Sequence, residues 1–219
     1  VSFGTVIQEV KTHNLARECA LGAGLLKTTP AHTVSMACIS SNQAITTGAE
    51  KILSGRADVI LAGGAETMSD APIRYNERMR KRLIGAGKAM KKGPIGGLKH
   101  FSKGFSMKEL VPEAPAVSNF ITGEVMGHSA DRLAAKFGIT REAQDEFAKK
   151  SHDCAATAHK EGLLASQIVP VNGNSEDNGV RGGTTMEDYQ KLNPAFIKPH
   201  GTITAANASF MSDGASCSL

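Results

Sequence analysis

The sequence predicts an α/β fold built round a parallel sheet, and three observations carry that expectation. Residues 58–64 (DVILAGG) form a nearly continuous apolar run, as a strand covered on both faces would. Residues 33–37 form a second short apolar run. It leads through Cys38 into Ile39, Ala44, Ile45, Ile52 and Leu53, spaced along one helix face until Gly55 stops the pattern. Strand, helix and strand in that order imply a parallel βαβ unit.

The remaining elements follow in order. Phe3, Val6, Ile7 and Val10 predict an opening strand over 1–9. A helix over 15–24 comes next, capped by Asn14 or Thr12 and broken by Gly22 and Gly24. A turn at Thr29-Pro30 then feeds the strand at 33–37. From 84 to about 120 the pattern dissolves into Gly, Lys, Pro and scattered apolar residues, which predicts an insertion or lid. Two helices are expected over 124–137 and 140–163, parted at Gly138. In the second, Thr140 is the cap, and Gly162 ends the helix. Ala143, Phe147, Ser151, Cys154 and Ala158 line its buried face, so Cys154 is expected in the core, with His152 and His159 exposed. Beyond it lie a strand at 167–171, a polar loop at 172–183 and a β signal at 202–206. A turn at Ser212-Asp213-Gly214 then enters a final strand. The expected division is a sheet domain over 1–83, an insertion over 84–199 and a return to the sheet over 200–219.

Composition narrows the function classes. At 219 residues and 41% hydrophobic, the chain can bury a core for one or two domains. No run of eighteen apolar residues occurs, which excludes a transmembrane helix. Four irregularly spaced cysteines, with no secretory signal, read as reduced thiols, and no Cys-x-x-Cys or paired histidines suggest a metal site. Val1 is not a start methionine and the last residues look like a strand cut short, so a fragment or truncated product is expected.

The net charge of +4 hides an asymmetry, because 74–108 carries eleven Lys and Arg against one acid, Glu77. A solvated face explains such a run. So do the phosphates of coenzyme A or an anionic lipid surface, since Ile95, Leu98, Phe101, Phe105 and Met107 interleave with Lys91, Lys92, Lys99, Lys103 and Lys108. Nucleic acid comes last, as no helix-turn-helix or aromatic platform accompanies the patch.

Cys38 is the candidate nucleophile. A thiol at a helix N-terminus sits in the positive field of the helix and near unpaired N–H groups, both of which favour the thiolate. The opposing reading makes it a small buried hydrophobe. Reactive groups collect at the carboxyl ends of strands in α/β sheets, where Cys38 and Gly63-Gly64 are expected, with Met68-Ser69 continuing the loop. A plain turn accounts equally for the two glycines. His128, after Met126-Gly127 at a helix start, reads either as a substrate-side group or as structural, and Ser209 reads as a ligand contact or a turn serine after Asn207.

Ser35-Met36-Ala37-Cys38-Ile39-Ser40-Ser41-Asn42-Gln43-Ala44 resembles the nucleophile segment of the thiolases. Three further segments are similar to that family, in its order. They are Gly63-Gly64-Ala65-Glu66-Thr67-Met68-Ser69, then Met126-Gly127 with Arg141-Glu142-Ala143-Gln144-Asp145-Glu146-Phe147-Ala148, then Thr202-Ile203-Thr204-Ala205-Ala206-Asn207-Ala208-Ser209 with Asp213-Gly214-Ala215. The wording around Cys38 and His128, with Phe196-Ile197-Lys198-Pro199, looks most like the trifunctional branch, mitochondrial long-chain 3-ketoacyl-CoA thiolases.

The resemblance implies a partial first half of the thiolase-like layered α/β fold, with a helical, loop-rich insertion. It implies thiolytic cleavage of 3-ketoacyl-CoA through an acyl-Cys38 intermediate in fatty acid β-oxidation. Coenzyme A enters as substrate and there is no resident cofactor. Met126, His128 and Ser209 are implied as substrate and CoA contacts, with Gly63, Gly64, Met68 and Asn207 supporting the nucleophile loop. It also implies a homodimer, an α-subunit partner and a mitochondrial location, in the matrix or at the inner membrane. The family's Gly-His-Pro, Asn/His-Glu-Ala-Phe and Cys-x-Gly motifs are missing, since Pro199-His200-Gly201 is not the first and Ser218-Leu219 follow Cys217. The chain alone is therefore expected to turn over little or not at all. Two other classes stay open: a ketoacyl-synthase-like condensing enzyme, and a catalytically inactive product that binds a partner subunit or membrane.

Overall fold

Asn14 shows how local chemistry starts this fold. The computed structural model describes residues 1–219. After strand β1 (Ser2–Gly4), Asn14 caps helix α1 (Leu15–Gly22) by accepting the Arg17 N–H at 3.1 Å, and its amide donates to the Ala31 carbonyl at 3.0 Å. The Thr33 hydroxyl donates to the same Asn14 oxygen at 2.9 Å, so the helix start is tied to strand β2 (His32–Val34). Helix α2 (Ser40–Leu53) follows and leads to strand β3 (Ala62–Glu66). Its buried face is made of Ala44 and Gly48, small enough to lie on the sheet beside Ile60 and Ala62.

The chain divides into two compact units, 1–115 with 211–219, and 116–210. These boundaries differ from the expected ones at 84 and 199. In the first unit the sheet runs β2-β1-β3-β6, where β6 is Gly214–Ser218. The first three strands are parallel and β6 is antiparallel to β3. The βαβ expectation holds, with shorter strands.

The reasons for the shortening are visible. The opening strand ends after the Thr5 N–H has met the Val34 carbonyl at 3.2 Å, because Glu66 captures the N–H groups that follow, Val6 at 2.7 Å and Ile7 at 3.2 Å. The strand expected over 33–37 ends at Val34, before a left-handed residue, Ala37, at φ 48°. The run at 58–64 enters the ladder only at Ala62, leaving Val59 exposed.

The expected irregular stretch after residue 84 is largely helical. After β4 (Arg74–Tyr75) come α3 (Glu77–Met90) and α4 (Pro94–Ser102), then a 3-10 turn (Met107–Leu110) and β5 (Pro112–Glu113), which pairs with β4. Glycines hid this hairpin, since each costs a helix about 1 kcal/mol relative to alanine. Here they are contact points: a Cβ at Gly85 would lie 2.2 Å from His100 Nε2, and one at Gly97 2.1 Å from Met90 Cγ. Arg82 closes the base. Its guanidinium donates to both Glu109 oxygens at 2.6 and 2.8 Å and to the carbonyls of Phe101, Lys103 and Gly104. The Arg82 hydrogen bonds hold the Glu109 carboxyl below the usual carboxylate range.

The second unit contains α5 (Met126–Phe137), α6 (Arg141–Lys160) and the short α7 (Met186–Gln190). Gly138, at φ 66°, ends α5, and Thr140 caps α6 by accepting from Ala143 at 3.1 Å. The expected inner face of α6 is its outer one, for Phe147 is 77% exposed and Cys154 is exposed. The buried residue is Asp145, bonded by Arg141 at 2.6 Å and by Asn207 at 2.8 Å. His152 and His159 are half-buried rather than exposed. An inside face that is polar defeats a reading based on apolar periodicity.

Helix α7 went unpredicted although Thr185 and Asp188 form a capping box, and it buries Tyr189. The strands expected at 167–171 and 202–206 do not form. Gln167 and Ile168 donate to Leu164 in a turn, and Val171 closes a tight pair with Asn174. Thr202 and Ile203 give their N–H groups to Asp131, and Thr204 gives its own to Asn207, which withdraws three consecutive donors from any ladder.

Candidate active site

Cys38 lies in the turn 36–40, two residues ahead of helix α2. Its side chain is exposed, which overturns the buried-hydrophobe reading. Ala37 takes the left-handed conformation directly before it. Ile39 is the cap residue of α2 and offers no side-chain bond. The Ser40 hydroxyl instead reaches backward, accepting from the Met36 N–H at 2.8 Å and donating to the Ala37 carbonyl at 2.6 Å.

An open groove of about 510 Å³ runs past the thiol, lined among others by Thr5, Ser41, Gly64, Met68 and Ser216. Two glycines let helix α2 sit directly on the sheet at this point. A Cβ at Gly4 would lie 2.4 Å from the Ser40 carbonyl carbon, and one at Gly64 would lie 2.2 Å from Ser41 Oγ. Gly63 and Gly64 lie inside strand β3 and not in a loop beyond its carboxyl end. Gly63 faces elsewhere: its Cβ would fall 2.1 Å from the Ser216 carbonyl, so it admits strand β6. Glycine here answers close backbone approach.

Met68 stays at the groove because its loop is anchored. Asp213 accepts the hydroxyl of Ser69 and, at 2.8 Å, the Ser69 N–H. These bonds, the hydroxyl's first, hold the Asp213 carboxyl below the usual range. Glu66 performs a similar service for 5–7 through its bonds to Val6 and Ile7. No three His, Cys, Asp or Glu side chains converge as metal ligands do.

The second unit carries Met126, His128, Asn207 and Ser209. Met126 is the exposed first residue of α5, and Ser209 is exposed as well. His128 meets the Phe196 ring edge-on, with centroids 6.0 Å apart. Gly127 permits that arrangement, because a Cβ there would lie 2.2 Å from the Phe196 ring. Asn207, expected to support the nucleophile loop, directs its side chain within its own unit. It accepts from Thr204 N at 2.7 Å and donates to Asp145 at 2.8 Å and to the Thr202 carbonyl at 3.0 Å.

Asp131 anchors the same region, accepting from the N–H groups of Thr202 at 2.7 Å, Ile203 at 3.0 Å and Ile197 at 3.2 Å. Burial opposes its ionisation, and the three N–H donors with the Thr202 hydroxyl outweigh it, leaving the carboxyl below its ordinary range.

The sequence reading missed Ser40, Gly4, Glu66, Asp131 and Asp213. A signal existed for Asp213, which starts an Asp-Gly turn, and none for Ser40 within a Ser-Ser pair.

Residues 1–219 match the protein family described as thiolase, N-terminal domain. Human mitochondrial trifunctional enzyme subunit beta is 57% identical over 224 residues, covering 100% of this chain and 46% of that protein. A probable 3-ketoacyl-CoA thiolase of Caenorhabditis elegans is 52% identical, covering 99% of this chain and 49% of its own length. Among solved structures, the Acat5 thiolase of Ascaris suum in complex with coenzyme A is similar with a TM-score of 0.77 at 27% identity, covering 99% of this chain and 51% of that one. The chain thus spans about half the length of the relatives it matches. With an exposed cysteine at the head of a helix seated on a parallel sheet, and a family match from the first residue to the last, the chain belongs to the thiolase family.

Proposed function

We propose that this chain supplies the nucleophile half of a 3-ketoacyl-CoA thiolase, an acetyl-CoA C-acyltransferase of mitochondrial fatty acid β-oxidation. The observation that carries it is the exposed Cys38 thiol beside an open groove, at a turn that leads into helix α2. The Cys38 thiolate attacks C3 of the 3-ketoacyl-CoA. The bond between C2 and C3 breaks, its electron pair passes to the enolate of acetyl-CoA, and the enolate takes a proton at C2. The thiol of coenzyme A then gives up its proton and attacks the acyl carbonyl, and the Cys38 sulfur leaves as thiolate. Covalent catalysis divides one hard cleavage into two steps, given a base and donors for the enolate oxygen. By the family resemblance those groups belong to motifs that 1–219 lacks. Met126, His128 and Ser209 are proposed as acyl and CoA contacts.

The names of the relatives support a mitochondrial location and an α subunit of the trifunctional type as partner; a homodimer of the full-length protein is proposed from the family resemblance alone. A second reading concerns the α3–α4 hairpin. Ile95 is 81% and Leu98 70% exposed, beside exposed Lys91, Lys92 and Lys99, an arrangement suited to an anionic membrane surface. Phe101 and Phe105 do not join that surface, for they stack on each other half-buried. Flotation with anionic vesicles is expected to weaken when Lys91, Lys92, Lys99 and Lys103 become Glu; equal flotation removes the reading.

Incubation of the full-length protein with acetyl-CoA, followed by peptide mass analysis, tests the nucleophile. An acetyl adduct on Cys38 is expected, with none in Cys38→Ala. An adduct elsewhere, or turnover by Cys38→Ala, overturns the assignment. Purified 1–219 alone is expected to leave acetoacetyl-CoA uncleaved. Acceptance of acyl carrier protein instead of CoA substrates would favour the condensing-enzyme alternative.

A further inference from the structure

We propose that Ser40 is a positioning residue for the nucleophile, its hydroxyl clamping the turn 36–38 that presents Cys38. This rests on the proposed role of Cys38.

The turn needs a clamp. Ala37 carries a Cβ yet has φ 48°, a conformation that side chains with a Cβ disfavour and that persists only where surroundings enforce it. The helix cap supplies only one backbone bond across it, the Ile39 N–H on the Met36 carbonyl at 3.3 Å, since Ile39 has no polar side chain. The Ser40 hydroxyl enforces it, bridging the Met36 N–H at 2.8 Å and the Ala37 carbonyl at 2.6 Å, with the Ser40 N–H on the same carbonyl at 3.1 Å. The two bridged groups lie on either side of the Ala37 N–Cα bond, whose rotation is φ. Together the bonds fix the direction in which the chain enters Cys38.

The clamp is itself fixed. Ser40 is 3% exposed, and its backbone is pressed on strand β1 so closely that only glycine fits at position 4. The hydroxyl of the next residue, Ser41, lies over Gly64. A residue anchored to the sheet therefore holds one that has to stand free in the groove. Ser40 borders the groove, and its hydroxyl is engaged by the backbone of the turn. Its effect passes through the geometry of Cys38, where a misplacement of about 1 Å costs on the order of 100-fold in rate.

The test uses the full-length protein as Ser40→Ala, Ser40→Thr and the double variant Ala37→Gly/Ser40→Ala, with Cys38→Ala alongside. The measurements are kcat and KM for acetoacetyl-CoA and the rate of Cys38 acylation in a single turnover. Ser40→Ala is expected to lower kcat and acylation by about 10- to 100-fold with KM little changed. Ser40→Thr, which keeps the hydroxyl, is expected to restore most of the loss. Ala37→Gly in the Ser40→Ala background is expected to restore part, since glycine accepts a positive φ without a clamp.

Unchanged kcat in Ser40→Ala while Cys38→Ala is dead overturns the positioning role and leaves the nucleophile intact. A loss in Ser40→Ala that neither Thr nor Ala37→Gly relieves overturns it as well, assigning Ser40 to packing. Should Ser40→Ala fail to fold, the Thr variant decides: retained kcat supports the clamp and a lost one overturns it. Full activity of Cys38→Ala fails the underlying nucleophile reading, which is a separate result.

Discussion

The two units fix their functional segments by opposite means. Around Cys38 helix α2 lies directly on the sheet, the Ser40 backbone over Gly4 and the Ser41 hydroxyl over Gly64. In the second unit the loop 197–207 is gathered by the buried Asp131 and the half-buried Asn207, whose side chains collect backbone N–H groups. In the first arrangement the contact of helix α2 with the sheet is sensitive to volume and contains no titratable group, although the carboxylates of Glu66 and Asp213 hold the neighbouring segments. The second is sensitive to charge and tolerant of modest changes in volume.

Gly4→Ala attacks the first arrangement where it has least room, because the new Cβ would lie 2.4 to 2.7 Å from backbone atoms of Ser40 and Ser41. A loss of about 3 kcal/mol, the upper end of overpacking costs, is expected in urea unfolding, with the same loss at pH 5 and pH 8. A pH-dependent loss would break the contrast between the units.

Asp131→Asn attacks the second. Its amide oxygen cannot replace a charge that accepts three N–H groups, and a loss of about 1–3 kcal/mol at pH 7 is expected. The sign with pH follows from the depressed carboxyl. The stabilisation is complete above the unfolded-state pKa of about 3.9, and it is lost as pH falls through the lower folded value. Melts from pH 7 down to pH 3 are expected to converge for parent and variant; parallel curves would show that Asp131 contributes by shape and not by charge.

The smallest effect is expected for Phe147→Ser. Phe147 is 77% exposed, so the change stays within about 0.5 kcal/mol in chain 1–219, measured by thermal melting. A large loss would restore the inward face that apolar spacing suggested.

The order of elements was legible where caps and stops mark it: Asn14 and Gly55 in the first unit, Gly138 and Thr140 in the second, announce themselves chemically. Cys38 was legible by its place at a join and by the family wording around it. The α3–α4 hairpin was not, because the glycines that let its helices touch are the residues that argue against helix. The inner face of α6 was inverted because Asp145, not a hydrophobe, lies inside. The strand expected at 202–206 was lost to Asp131, about 70 residues earlier in the chain, which no local pattern can reveal. Ser40 stayed hidden since a clamp is a relation between a hydroxyl and two backbone groups.

The pairing of β3 with β6 carries a consequence for biosynthesis. The two strands are separated by about 150 residues, so the ribosome takes on the order of ten to thirty seconds to deliver the second after the first, at roughly 5–20 residues per second. Through that interval one side of Ala62–Glu66 is an open row of peptide groups, a template for any extended chain nearby. A nascent protein of this design exposes an unpaired strand edge to its neighbours until the antiparallel strand closes it.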